Sequence, residues 1–272
     1  MKNIKIYLAI LISLTLFGCK ERIDISLKDT YVRLVVDGLL TDEAKRHMIK
    51  LTKTSGYFEN EPQSMATGAA VTISDGTSEV QLSETSPGIY QTDSTYNGVI
   101  GKTYTLNIKY DNEEYSASSP LKYVSPIDSV SFEKDPFMPD ITTINLWAQE
   151  PATTGDYYLW LYYVNGVLRS DTLNKISFTD DLMVNGNYIT GYPIYYFAPE
   201  ANDTVTLEMR SITKEYNDFI YAVYMETYGA GTPFSGPPSN AKGNIKNLTH
   251  KEKDVMGFFI ASAVTRKSKV FK

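Results

Sequence analysis

Turn-forming dipeptides divide this chain into short extended segments. Asp75-Gly76, Asp111-Asn112 and Asn165-Gly166 each stand between arms in which apolar and polar residues alternate. Asp-Gly and Asn-Gly pairs supply the positive φ angles that a tight primed hairpin turn requires. Strands of period two follow one another, with no helical stretch between them in the first half of the chain. This pattern predicts a mainly β protein with antiparallel sheets packed as a sandwich.

Two β-rich regions are predicted, one on each side of Pro126. Proline keeps the residue before it extended and removes a donor from a strand ladder, so it marks a break between regions. The first region covers residues 29–124 and the second covers residues 125–272. We expect two antiparallel β-sandwich domains, immunoglobulin-like or transthyretin-like.

The segment YYLWLYYV, residues 157–164, is the most strongly apolar strand of the second region. Tyr158 and Trp160 share one face, and Leu159 and Leu161 share the other. A strand with two apolar faces needs cover on both sides. The segment is therefore predicted to be a central strand.

One stretch of the second region has a helical period instead. Tyr216, Phe219, Ile220 and Val223 follow the spacing i, i+3, i+4, i+7. Thr213 precedes the stretch as a candidate N-cap, and Gly229 follows it as a terminator. The sequence predicts one amphipathic helix at about residues 213–228.

The N-terminus has the layout of a secretory signal. Lys2 and Lys5 precede an uncharged run from Ile6 to Gly18. Such a run has the length of a signal-peptide core and is shorter than the roughly 20 residues that a membrane-spanning helix needs. Residues 1–18 are predicted to be a signal peptide.

Leu16-Phe17-Gly18-Cys19 resembles the bacterial lipobox, although Phe17 is bulkier than is usual there. The resemblance implies that Cys19 is acylated and becomes the first residue of the mature chain, with residues 19–28 as a tether. Two or three acyl chains hold a protein at a membrane almost permanently. The alternative is a plain signal peptide with an incidental cysteine.

Charge and cysteine content exclude other classes. Cys19 is the only cysteine, so stability cannot come from disulfides. Loss of Lys2 and Lys5 with the signal changes the formal net charge from −6 to −8. An acidic chain of this kind lacks the basic footprint of a nucleic-acid-binding protein.

Several blocks along the chain together resemble a known family. They are LVVDGLLTD at 34–42, GAAVTISD at 68–75, GKTYTL at 101–106, PIDSV at 126–130, FSGPPSN at 234–240 and GNI at 243–245. The chain is similar to the domain-of-unknown-function 4249 family, a group of Bacteroidota outer-membrane lipoproteins often encoded beside TonB-dependent receptors. The resemblance implies an outer-membrane location and a receptor partner, and it implies no catalytic residue. The run from Lys20 to Asp24 leaves the membrane leaflet undecided.

No residue pattern predicts a catalytic, metal or cofactor site. His47 and His250 are far apart in the chain, and no G-x-S-x-G elbow exposes a serine nucleophile. The pairs Asp180-Asp181 and Glu113-Glu114 border turns, and neighbours on a strand point to opposite faces. We interpret these acids as solvated turn residues rather than glycosidase carboxylates or calcium ligands.

Tyrosine is the one compositional sign of binding, with 21 residues in the chain. A tyrosine ring can stack on a sugar or an apolar side chain while its hydroxyl forms a hydrogen bond. Tyr192, Tyr195, Tyr196 and Phe197 lie in a stretch interrupted by Gly191 and Pro193, so some of them are expected at a rim. These four are the candidate ligand-binding residues, for a glycan or a peptide.

These observations lead to one preferred function and two alternatives. The preferred function is a non-enzymatic outer-membrane lipoprotein, an accessory or ligand-binding component associated with a TonB-dependent nutrient receptor. The alternatives are an adhesin or envelope scaffold and, less favoured, a glycan or peptide hydrolase.

Overall fold

Eighteen strands form the framework of residues 31–55, 64–138, 140–229 and 241–272, which are the residues that the computed structural model describes. The predicted signal peptide, Cys19 and the tether lie outside them. The strands of the first half are β1 Leu34–Thr41, β2 Met48–Lys53, β3 Ala70–Ser74, β4 Glu79–Gln81, β5 Ser83–Ser86, β6 Ile89–Gln91, β7 Thr103–Tyr110 and β8 Glu113–Pro120. Those of the second half are β9 Ile127–Lys134, β10 Thr142–Gln149, β11 Tyr157–Val164, β12 Val167–Leu168, β13 Ser177–Asp180, β14 Tyr188–Phe197, β15 Thr204–Ile212, β16 Lys246–Asn247, β17 Met256–Ser262 and β18 Val264–Val270.

The strands form four sheets. Two contain the first-half strands, in the orders β17-β1-β2-β6-β5 and β16-β8-β7-β3-β4. The other two have the orders β14-β10-β9 and β12-β11-β15-β18, with β13 also paired to β11. Every pairing between these strands is antiparallel except that of β1 with β17. The predicted mainly β, antiparallel class is confirmed.

Local turn chemistry explains two of the hairpins. Asp111 and Asn112 have φ of 50° and 59°, and Asn165 and Gly166 have φ of 51° and 79°, as primed two-residue turns require. The β3–β4 hairpin also forms, but its connection spans residues 75–78. Only Gly76 has a positive φ there, because the Asp75 carboxylate accepts hydrogen bonds from the backbone of Thr77 and Ser78. The tight primed turn predicted at Asp75-Gly76 is therefore wrong.

Strands from the C-terminal part of the chain complete the N-terminal sheets. β17 runs parallel to β1, from Val35 opposite Met256 to Thr41 opposite Ser262, and β16 pairs with β8. Residues Val32–Lys272 form one compact unit. The boundary after residue 124 stays a prediction about independent domains.

β11 separates two hydrophobic cores, which confirms its central position. Tyr158 and Trp160 face the main core, which extends through both halves of the chain. Leu159 and Leu161 face a second, smaller core. β17 alternates in the same way, with Phe259 in the main core and Phe258 in the second.

The helix α1, Lys214–Tyr224, covers the second core and confirms the predicted amphipathic helix. The Thr213 hydroxyl accepts a hydrogen bond from the backbone N–H of Tyr216 at 3.2 Å, so Thr213 is the N-cap as predicted. A π-helical turn, Met225–Gly229, continues the helix. The Tyr216 and Phe219 rings lie 4.9 Å and 5.3 Å from the Phe258 ring. No helix in the described part of the chain is long and apolar enough to cross a bilayer.

Candidate binding site

The four predicted binding residues all lie on β14, which is an edge strand among the described residues and pairs there with β10. Two irregularities interrupt this pairing, one at Ile194 and one at Gly191. The first places Ile194 and Tyr195 side by side in the core instead of on opposite faces. Tyr195 and Phe197 are buried, whereas Tyr192 and Tyr196 are exposed.

Tyr195 is bound within the fold. Its hydroxyl donates to the carbonyl of Trp160 and accepts from the backbone N–H of Ser177 at 3.0 Å. Burial raises the pKa of Tyr195 to about 12. The rings of Tyr195 and Tyr162 have centroids 4.6 Å apart. Of the four candidates, Tyr192 and Tyr196 are therefore the two whose rings can meet a ligand.

A cleft of about 300 Å³ lies beside the second core. We call it the β1–α1 cleft, because residues 35–39 of β1 and the residues Tyr216 and Phe219 of α1 are parts of its wall. The remaining wall is contributed by β11, β15 and β17, through Leu159, Arg210, Ile212, Gly257, Phe258, Ile260 and Ser262. Sequence reasoning missed this cleft because its wall joins segments that are distant in the chain.

The polar groups of the β1–α1 cleft are few. The Arg210 side chain is 18% exposed, and its Nε donates to Oε1 of Glu208 at 2.5 Å. Ser262 is fully buried, and its hydroxyl has no hydrogen-bond partner among the described residues. Asp37 is exposed. Burial raises the pKa of Tyr216 to about 12, and the carboxylate of Asp37 adds to this increase.

Three carboxylates converge elsewhere, on two loops beside β11. One oxygen from each of Glu150, Asp156 and Asp181 lies within 4.8 Å of the others. Glu150 and Asp181 are buried, so the interpretation of Asp181 as a solvated turn residue is wrong. Its carboxylate accepts from the backbone N–H of Gly155 at 3.1 Å, which holds it inside the loops. These three residues could hold a hard divalent cation such as Ca²⁺.

The environment of this acidic cluster only partly offsets its charge. The Tyr158 hydroxyl donates to Oε1 of Glu150 at 2.6 Å. The Lys122 ammonium lies 3.9 Å from Oδ1 of Asp156. Burial raises the pKa of Glu150, and repulsion from Asp156 and Asp181 raises it further.

The two histidines occupy unrelated environments. The His47 Nδ1 accepts from the backbone N–H of Thr41 at 3.3 Å, and Nε2 is 3.1 Å from the carbonyl oxygens of Glu43 and Tyr96. This pattern requires the neutral ring with its proton on Nε2. His250 is partly exposed and lies beside Glu113 and Glu252. The ring of His47 therefore fastens one loop to another.

The described residues define a mainly β protein of antiparallel sheets with the helix α1. The family model described as "Domain of unknown function (DUF4249)" matches residues 20–268. The chain belongs to this family. No curated protein sequence matches it.

Two solved structures are similar at 10% sequence identity. One is titled "Cytokine receptor complex - Crystal form 1A", with a TM-score of 0.25 over 67% of this chain and 86% of the other. The second is a segment of two fibronectin type-III domains from chicken tenascin, with a TM-score of 0.22 over 67% of this chain and 92% of the other.

Proposed function

We propose that this protein is a non-enzymatic lipoprotein of the outer membrane, an accessory or ligand-binding component that works with a TonB-dependent nutrient receptor. The observation that carries the proposal is the motif Leu16-Phe17-Gly18-Cys19 directly after an uncharged signal-like run. Acylation of Cys19 would place the β-sheet body at the membrane surface by a tether of about ten residues.

Several contacts favour a binding role over a chemical one. The His47 ring is committed to backbone groups on both nitrogens. Glu113 is likewise committed, since it accepts from Lys253 at 2.6 Å and from Asn247 at 2.7 Å, and its pKa is lowered to about 2, chiefly by Lys253. Tyr192 and Tyr196 present exposed rings on an edge strand. Exposed aromatic rings are typical of binding surfaces.

The anchor is tested by labelling living cells with radioactive palmitate. The wild-type chain should carry the label and should fractionate with the outer membrane. Cys19→Ala should lose the label and leave the membrane fraction, because cysteine sulfur is the acylation site. Label on Cys19→Ala, or wild-type protein released unlabelled into the medium, would remove the basis of the proposal.

The partner is tested by extraction in mild detergent and mass spectrometry of what co-purifies. We expect a TonB-dependent receptor at a stoichiometric level with the wild-type protein. The double variant Tyr192→Ala and Tyr196→Ala removes the two exposed rings of β14. Tyr123→Ala removes an exposed tyrosine outside β14 and is the matched control. Recovery of matrix components or other lipoproteins in place of a receptor would identify an adhesin or envelope scaffold instead.

A further inference from the structure

We infer that the β1–α1 cleft binds a small, mainly apolar molecule that carries a single carboxylate group. The inference deepens the proposed function and rests on its ligand-binding part, since it names the chemical class of ligand and the place where the ligand binds. It does not depend on the membrane anchor.

The wall of the cleft gives the ligand its apolar character. Leu159, Ile212, Phe258 and Ile260 are buried members of the second core, and the rings of Tyr216 and Phe219 close the helix side. A volume of about 300 Å³ is at the lower end of the range for small-molecule sites. The cleft therefore suits a short alkyl or single-ring molecule.

The Ser262 hydroxyl is a polar group in this wall that the protein leaves unused. It is fully buried, and no described residue offers it a donor or an acceptor. A buried hydroxyl without a partner is costly, so native structures rarely keep one without a reason. Because the hydroxyl oxygen has almost no exposed surface, a ligand oxygen would satisfy it by parting the cleft wall at Ser262.

Arg210 supplies the charge complementarity. Its Nε–H is used by Glu208, whereas the N–H groups of its two terminal nitrogens have no acceptor among the described residues. Glu208 is shared with Arg266, but the terminal nitrogens of Arg266 pair with Glu43. Arg210 is therefore the guanidinium group of this network whose terminal N–H groups have no acceptor among the described residues. The guanidinium plane matches a carboxylate, which can accept two parallel hydrogen bonds.

Asp37 limits the ligand to one acidic group. It is an exposed part of the cleft wall, whereas Arg210 and Ser262 are mostly or fully buried. A second carboxylate on the ligand would be repelled there, and an apolar tail would not be. The cleft is therefore expected to select a monocarboxylate over a dicarboxylate of the same length.

The experiment is calorimetric titration of the full mature lipoprotein in lipid nanodiscs, with empty nanodiscs as the reference. The probes are straight-chain carboxylates from butanoate to dodecanoate, together with octan-1-ol and octanedioate. Each added methylene should tighten binding about fourfold, from the free energy of burying one methylene, until the cleft is full. Octan-1-ol lacks the carboxylate that pairs with Arg210, and octanedioate carries a second carboxylate that Asp37 repels. Each should therefore bind at least about tenfold more weakly than octanoate.

Ser262→Ala and Thr41→Val form a matched pair of variants. Thr41 lies opposite Ser262 in the β1–β17 register, is also fully buried and also has an unpartnered hydroxyl, but it is not part of the cleft wall. Neither change breaks a side-chain hydrogen bond of the described structure, so both variants should fold. Ser262→Ala should weaken octanoate binding about fivefold to tenfold, and Thr41→Val should leave it unchanged.

Arg210→Lys keeps the positive charge but loses the planar fork, and it should weaken octanoate binding without changing octan-1-ol binding. Three results would each overturn the inference. The first is equal octanoate affinity in the wild type and Ser262→Ala, and the second is an equal loss of octanoate affinity in Ser262→Ala and Thr41→Val. The third is a wild-type protein that binds octan-1-ol as tightly as octanoate. A wild-type protein that takes palmitate and co-purifies a receptor but binds no carboxylate would overturn this inference alone and leave the proposed function standing.

Discussion

Arg266 on β18 donates through Nε to Oε2 of Glu208 on β15, over 2.5 Å, and the Glu208 side chain is completely buried. Arg210 donates to the other oxygen of the same carboxylate at 2.5 Å. The terminal nitrogens of Arg266 reach Glu43, between β1 and β2. Arg266 therefore links Glu208 in one sheet to the β1–β2 connection of another sheet. Arg210, the second guanidinium group on Glu208, lines the β1–α1 cleft.

Glu208→Gln should destabilise the protein by about 3 kcal/mol, because the mostly buried guanidinium of Arg210 loses the carboxylate that compensates its charge, whereas Arg266 keeps Glu43. The measurement is urea unfolding followed by circular dichroism. Asp218→Asn is the control, since Asp218 pairs with Lys214 at 2.6 Å on the exposed face of α1 and exposed pairs contribute little. Equal stability of Glu208→Gln and the wild type would show that the buried charges do not hold the sheets together.

His47 should make stability fall in mild acid. Burial lowers the pKa of its imidazole below the ordinary 6.5, so the unfolded chain takes up a proton at a higher pH than the folded chain. Its contribution is fully present above about pH 6.5 and is lost as the pH falls from there through the lower folded-state value. Melting temperatures between pH 8 and pH 5 measure this.

In His47→Gln, the melting temperature should be lower at pH 8 and should change less towards pH 5 than in the wild type. His250→Gln, at a partly exposed position, should follow the wild-type profile. If the two variants give the same pH profile, the buried ring is not the acid-sensitive group.

Glu150→Gln should stabilise the protein at pH 8 in the presence of EDTA. The pKa of Glu150 is raised, chiefly by burial, so its ionisation removes stability as the pH rises from the unfolded value near 4.5 through the higher folded value. Glutamine removes the charge and can still accept from Tyr158. The gain in melting temperature should be larger at pH 8 than at pH 4.

Glu114→Gln is the control for this change, because Glu114 pairs with Lys109 at the surface. The same scans with Ca²⁺ in place of EDTA separate repulsion from coordination. A lower melting temperature for Glu150→Gln in EDTA would contradict the prediction. A wild-type melting temperature raised by Ca²⁺ and a variant that does not respond would show that the cluster binds the cation.

Gly257→Ala should disrupt the pairing of β17 with β1. Gly257 has φ of +92°, and an added Cβ would lie 1.9 Å from the carbonyl oxygen of Val36. Gly101→Ala is the matched control, because Gly101 has φ of +90° with no atom within 4 Å of the added carbon. The control should lose about 1–2 kcal/mol from backbone strain alone. Gly257→Ala should lose clearly more unfolding free energy than the control and should show faster amide exchange in β1. Similar losses of unfolding free energy in the two variants would mean that the close approach to Val36 has no cost.

Features that depend on neighbours in sequence were predictable. The hairpin turn at Asn165-Gly166 and the helix capped by Thr213 follow from local backbone preference and local hydrogen bonds. The central position of β11 follows from its two apolar faces. The turn at Asp75 was predicted wrongly because an aspartate side chain can bond to the turn backbone and select another conformation.

The candidate sites were predicted only in part. Four aromatic residues on β14 were named together, and alternation alone would have placed Tyr195 and Phe197 on one face. That part holds, and Tyr192 and Tyr196 are exposed. The irregularity at Ile194, which alternation cannot foresee, adds Ile194 to the buried side. The acidic cluster was missed because Glu150 and Asp181 are far apart in the chain and are brought together by the loops beside β11.

The sequence alone determined the strands, the turns at Asp111 and Asn165, the helix α1 and the motif at Cys19, because each depends on residues a few positions apart. Only the tertiary structure decided that β17 returns to pair with β1, and with it the position of Ser262 in the wall of the β1–α1 cleft. A parallel pairing between distant segments is set by burial in two shared cores, and no short stretch of sequence encodes that burial.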